Sequence, residues 1–110
     1  MAQLREQTFL ILVALADVER HGYGIIGEVE QISAGAVTLG PGTLYGALDR
    51  LSADGLVEAT RTEVVDGRQR RYYRLTDEGR GTLHHEASRR AAMADAVGRR
   101  LGGVKGLAPA

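Results

Sequence analysis

Leu39-Gly40-Pro41-Gly42-Thr43-Leu44-Tyr45-Gly46-Ala47-Leu48-Asp49-Arg50-Leu51-Ser52-Ala53-Asp54-Gly55-Leu56 is the best-bounded segment of this 110-residue chain. Pro41 suits the first turn of a helix, where its missing N–H has no intrahelical partner to lose. Leu44, Ala47, Leu48 and Leu51 then recur at helical spacing and define a buried stripe. Gly55 stands where a C-terminal glycine cap belongs, and Leu56 follows to pack back on the helix. The segment therefore reads as a helix with a marked start, one buried face and a marked end. Thr43, Gly46, Asp49 and Arg50 face outward, with Tyr45 on the flank.

Upstream, residues 4–18 read as a helix whose apolar positions are too dense for a single stripe, as expected of a central, buried element. Arg20-His21-Gly22 is expected to end it, with Gly22 as the turn residue. Residues 23–32 read as a second helix, with Ile25, Ile26, Val29 and Ile32 on one face and Ser33-Ala34-Gly35-Ala36 as its break. Downstream, 56–65 is rich in Val and Thr and reads as a strand. Asp66-Gly67 is a strong hairpin signal, because both central positions of a type I′ turn need positive φ. Residues 69–75 return as the second strand. Thr76 caps a last helix running to about residue 100, with Asp77 and Glu78 at the positive end of its dipole. Its apolar stripe is Leu83, Ala87, Ala91, Ala94, Val97 and Leu101. Helices two and three are joined by a short glycine-containing turn, and a hairpin follows the third. The fold class is thus mainly α with a small β-hairpin (α+β), a winged helix-turn-helix followed by a long C-terminal helix. The expected division is a winged domain at 1–75, a dimerisation helix at 76–101 and a flexible, glycine- and proline-containing tail at 102–110.

The chain has no cysteine, which removes disulfides, thiol nucleophiles and thiolate zinc sites. Its first residues lack the basic and apolar regions of a signal peptide, and the densest apolar run is too short to span a bilayer. A cytoplasmic protein without membrane contact is expected. The net charge is +0, but residues 1–60 hold three basic and eight acidic groups, and 61–110 hold eleven and six. The segment 68–74 carries four arginines and no acid. Such a run is commonly a solvated strand face. At a hairpin tip it can also reach a nucleic-acid backbone, where contacts release counterions and dominate affinity.

On the third helix, Thr43 can bond a phosphate or base edge, and Arg50 can reach a phosphate or guanine. Gly46 interrupts the helix at a cost of up to ~1 kcal/mol against alanine. It would let the backbone approach DNA closely. Asp49 does not suit a phosphate-lined groove. In the wing, Arg71, Tyr73 and Leu75 alternate with Arg70, Tyr72 and Arg74, and the two tyrosines fit strand packing better than base stacking. The terminal helix is too long for its own small domain to cover, so a second copy is the expected partner. Enzyme chemistry finds no constellation. His84 and His85 point about 100° apart on a helix, Glu28 and Glu30 diverge, and Gly40-Pro41-Gly42-Thr43 lacks the lysine of a phosphate loop.

The run His21-Gly22-Tyr23-Gly24-Ile25, the stretch 39–48, and Leu51 with Asp54-Gly55-Leu56-Val57 resemble the PadR family of bacterial transcriptional regulators. So do Gly67-Arg68, Arg71-Tyr72-Tyr73, Leu75-Thr76 and Glu78-Gly79. The resemblance implies a homodimer built on the C-terminal helix that binds pseudo-palindromic promoter DNA, usually as a repressor; no cofactor is expected. It implies backbone contact by Tyr23 and a groove position for Thr43 and Tyr45. Arg68, Arg70 and Arg71 would reach phosphates or the minor groove. The expected DNA-binding set is Tyr23, Gly24, Pro41, Thr43, Tyr45, Gly46, Arg50, Arg68, Gln69, Arg70 and Arg71. The expected dimer set is the stripe from Leu83 to Leu101. Members of the family can respond to phenolic or drug-like ligands, so the resemblance makes a small apolar or phenolic effector a candidate partner. The absence of tryptophan argues against an aromatic sandwich for flat drugs. The alternative is a winged-helix module that binds protein rather than DNA.

Overall fold

The computed structural model describes residues 3–102. In chain order it holds α1 (Glu6–Ala14), β1 (Arg20–His21), α2 (Gly22–Ile32), α3 (Pro41–Ala53), β2 (Val57–Val65), β3 (Arg68–Leu75) and α4 (Asp77–Arg100). The strands form one antiparallel sheet in the order β1-β3-β2. The tail expected to be flexible lies, from residue 103 on, outside the described residues.

The apolar density of α1 places it at the centre. Leu10, Ile11, Leu12 and Ala14 are buried, and the core they enter includes Ile25 and Val29 of α2 and Leu44, Leu48 and Leu51 of α3. The helix is shorter than its sequence suggests. It closes in tightened turns, Leu15 N–H to the Leu12 carbonyl and Ala16 N–H to that of Val13. Arg20 then reaches back and donates from Nε to the Ala14 carbonyl (2.7 Å), occupying one of the acceptors a helix end leaves open. Arg20 and His21 run extended and pair with Tyr73 and Tyr72, adding a strand to the two expected. Gly22 is accordingly not the stop of α1 but the first residue of α2. His21 is its cap, with Nδ1 accepting the Gly24 N–H (3.3 Å).

α2 ends at the expected break, where Gly35 (φ +83°) donates to the Glu30 carbonyl. Ile32, expected on the buried face, lies exposed in the last turn. α3 matches its sequence signals. Pro41 opens it after Gly40, and the four stripe residues are buried. Gly55 (φ +76°) closes it as the Leu56 N–H returns to the Leu51 carbonyl (2.9 Å), the glycine-capped helix end. Asp66 and Gly67 both have positive φ at the hairpin tip. The register runs from Val65 opposite Arg68 to Val57 opposite Leu75, with a bulge between Ala59 and Thr62.

Thr76 caps α4, its hydroxyl accepting the Gly79 N–H (3.0 Å) while donating to the Gly55 carbonyl (2.6 Å). Gly79 lies flush on the Leu56 carbonyl, with no room for a side chain. The helix is thereby fixed to the α3–β2 turn and projects from it for about 36 Å. Its N-terminal half, as far as Arg90, meets the rest of the chain. Leu83 packs partly against the core, and Ala91, Ala94, Val97 and Leu101 face solvent.

Candidate nucleic-acid interface

The outward side of α3 carries Pro41, Thr43, Tyr45, Asp49 and Arg50, all exposed, with Gly46 half-buried among them. A Cβ at Gly46 would meet only the Arg50 guanidinium, at 3.7 Å. The bare position therefore lies beside Arg50's folded-back side chain. Tyr23 is 62% exposed at the start of α2. Gly24 donates its N–H to the His21 cap, and a Cβ there would stand 3.7 Å from both Arg20 Cβ and His21 Cε1.

Beside these helices stands the wing. Arg68, Gln69, Arg70 and Arg71 are all exposed. Among the described residues no ion pair engages Arg50, Arg68, Arg70 or Arg71. The other two sheet arginines of the hairpin are committed. Arg74 pairs with Glu58, and Arg61 with Glu19 and Glu63. Arg61 also lies over the Tyr72 ring, 3.8 Å from its centroid. Tyr72 donates to Glu63 and packs edge-on against His21, and Tyr73 is buried. Both tyrosines thus serve packing. Their neighbours also explain the local titration. The Tyr72 hydroxyl, then Arg61, holds the Glu63 carboxyl below its usual value. Burial, then the charge of Arg70, holds His21 below 6.5.

Two clefts separate wing from helices. One of about 190 Å³ is lined by His21, Gly22, Tyr23, Tyr45 and 68–70. The other, about 260 Å³, is lined by Tyr45, Asp49, Thr62, Gln69, Arg71 and Tyr73. The structure therefore brings Tyr23, Tyr45, Arg68, Gln69 and Arg70 around the first cleft, and Tyr45 and Gln69 together with Arg71 around the second. Pro41, Thr43 and Arg50 lie on α3 outside the clefts. The arrangement sets exposed guanidiniums on the wing beside α3 and another, Arg50, on α3 itself.

Phe9, Val13, Ala16, Arg80, Leu83, His84 and Ala87 surround an apolar cleft of about 270 Å³ between α1 and α4. Val97 and Leu101, further along the expected dimer stripe, are 54% and 58% exposed. Sequence reasoning missed Glu86, the one carboxylate buried on α4 among the described residues. It accepts from Arg89 (2.5 Å) and Arg90 (3.1 Å). Arg90 in turn lies over Phe9 and donates to the Leu4 carbonyl. The Glu86, Arg89, Arg90 spacing was the available signal, since residues three and four apart meet on a helix. Among the described residues no helix is long and apolar enough to cross a membrane.

The model of the transcriptional regulator PadR-like family matches residues 11–85. A transcriptional regulator of Mycobacterium tuberculosis is 41% identical over 93 residues, covering 84% of this chain and 80% of that one. A transposon protein of Streptomyces fradiae is 46% identical over 88 residues, 80% of this chain, but this chain spans only 24% of it. Among solved structures, Bacillus subtilis PadR in complex with operator DNA aligns with a TM-score of 0.65 and 26% identity, over 74% of this chain and 46% of that one. A PadR-like regulator of Bacillus cereus shares the fold with a TM-score of 0.72 at 24% identity, over 88% and 92% of the two chains.

Proposed function

The chain belongs to the transcriptional regulator PadR-like family, and from that premise we propose that it binds pseudo-palindromic promoter DNA as a homodimer and represses transcription. The observation that carries the reading is that Arg50, Arg68, Arg70 and Arg71, which no ion pair engages among the described residues, stand exposed on α3 and the wing, with Thr43 and Tyr45 on that helix and Tyr23 lining the first cleft. In this reading α3 enters the major groove and the wing tip takes the backbone or minor groove. Pro41, Gly46 and Gly24 shape the helix ends that meet the duplex, and Gln69 adds a polar contact at the tip. That the solved Bacillus subtilis relative is a complex with operator DNA supports DNA as the partner.

Residues 1–75 form the DNA-binding unit and 76–101 the dimerisation helix, on which Leu83, Ala87, Ala91, Ala94, Val97 and Leu101 meet a second copy. Alanines at most of these positions allow close helix approach. The apolar cleft beside Leu83 and Ala87 is the place a small apolar or phenolic effector would occupy, shared between the copies. The reading places the protein in the bacterial cytoplasm.

Selection of duplexes from a random library by the purified full chain tests this reading. Enrichment of an inverted repeat is expected, with affinity that falls steeply with salt. Arg70→Ala with Arg71→Ala should weaken binding to every sequence and lower the salt slope by about 2, one for each phosphate no longer neutralised. No enrichment, or a double variant that binds as wild type does, would contradict it.

A further inference from the structure

Gly22 is a glycine for a reason its backbone does not supply. Its φ is not in the left-handed region, and it opens a regular helix, where an alanine would be at least as well accommodated. A Cβ at this position would overlap the Tyr45 hydroxyl and stand 2.7 Å from Tyr45 Cζ and 3.2 Å from Cε1. No other glycine of α2 or α3 meets such an obstacle, the next nearest being 3.7 Å at Gly24 and Gly46. The atoms met are the far end of one side chain on a different helix. At Gly79, by contrast, the obstacle is the Leu56 backbone. A side chain at 22 is therefore accommodated by moving the Tyr45 ring, with the packing of α2 on α1 left as it is.

The ring that would move lines both clefts between the wing and the helices. It is 40% exposed, and burial of the rest, followed by the neighbouring Tyr73 and Tyr23, raises its phenol above 10.0. We infer that Gly22 is a positioning residue for the recognition surface: its bare Cα seats the Tyr45 ring between the start of α2 and the wing, and any side chain there unseats it. This inference rests on the DNA-binding reading for its consequence and on the Gly22–Tyr45 approach for its geometry.

Two measurements on the full chain separate those foundations. Nuclear magnetic resonance of ring-labelled tyrosine in free Gly22→Ala should show the Tyr45 resonances displaced and its phenol titrating lower. The melting temperature should stay within about 3 °C of wild type, because the packing of the core is untouched. On a duplex selected by the wild-type protein, Gly22→Ala and Tyr45→Ala should each weaken binding by about tenfold, and the double variant should bind no worse than Tyr45→Ala alone, the non-additivity of residues that act through each other. Unchanged Tyr45 resonances overturn the inference, as do losses that multiply in the double variant. Failure of the double variant to fold also overturns it, since the obstacle would then lie elsewhere. If the wild-type chain selects no duplex, the DNA-binding reading falls, and the resonances still decide the seat.

Discussion

Asp49 is exposed on α3 one turn beyond Tyr45, in the cleft it shares with Arg71, and among the described residues no ion pair engages it. A carboxylate there repels phosphates whatever the sequence, so it lowers non-specific affinity. In a major groove it can also accept from the cytosine amino group. Asp49→Asn is therefore expected to raise affinity for random duplex by about threefold or more and to narrow its gap from the selected site. Competition titrations read this directly, and an unchanged ratio would contradict the role. His21 acts at the same scale. Its Nδ1 accepts the Gly24 N–H only when unprotonated, and burial and Arg70, against the opposing Glu63, hold its pKa below 6.5. The folded state thus binds this proton less readily than the unfolded chain. The stability His21 supplies is complete above about pH 6.5, declines as pH falls below it, and is gone below the folded value. Melting temperatures between about pH 7.5 and 5 should fall more for wild type than for His21→Asn, which keeps a capping oxygen without a titration. Equal slopes would show that His21 plays no such part.

Elements differ in how far the sequence alone reveals them, and the difference follows from the range of the interactions that bound them. α3 is bounded by Pro41 and Gly55, and the hairpin tip by Asp66 and Gly67. That chemistry acts within a turn, so these limits, and the wing arginines they present, were legible. The end of α1 depends on Arg20 reaching back to Ala14 and on β1 pairing with Tyr72 and Tyr73, strand partners far along the chain that no local pattern announces. The seat of Tyr45 against Gly22 joins two helices and was equally hidden. Glu86 has the composition of a solvated helix acid. It is buried because Arg89 and Arg90 cover it while Arg90 lies on Phe9. The stripe of α4 was readable from period alone, and its outer half remains uncovered within one chain. Val97→Asp is expected to turn dimers into monomers in sedimentation, with helix content retained, because a charge would be desolvated between copies. A Val97→Asp chain that still sediments as a dimer would place the interface elsewhere.

For the whole molecule, a net charge of +0 conceals an acidic first half and a basic second half, and the structure sorts the basic groups further. Arg20, Arg61, Arg74, Arg89, Arg90 and Arg99 are ion-paired within the chain, while among the described residues no ion pair engages Arg50, Arg68, Arg70 or Arg71. In the proposed reading, α4, which projects beyond its own core in a shape whose described residues extend 55 Å by 22 Å in its longest and shortest directions, would join two such surfaces. Hydroxyl-radical footprinting of the selected duplex, with the bound stoichiometry counted in the same complex, tests that joint arrangement most directly. Two chains per duplex are predicted, protecting two half-sites about one helical turn apart, roughly 34 Å, or a multiple of it. One chain per duplex, or protection spread without a two-fold pattern, would contradict it.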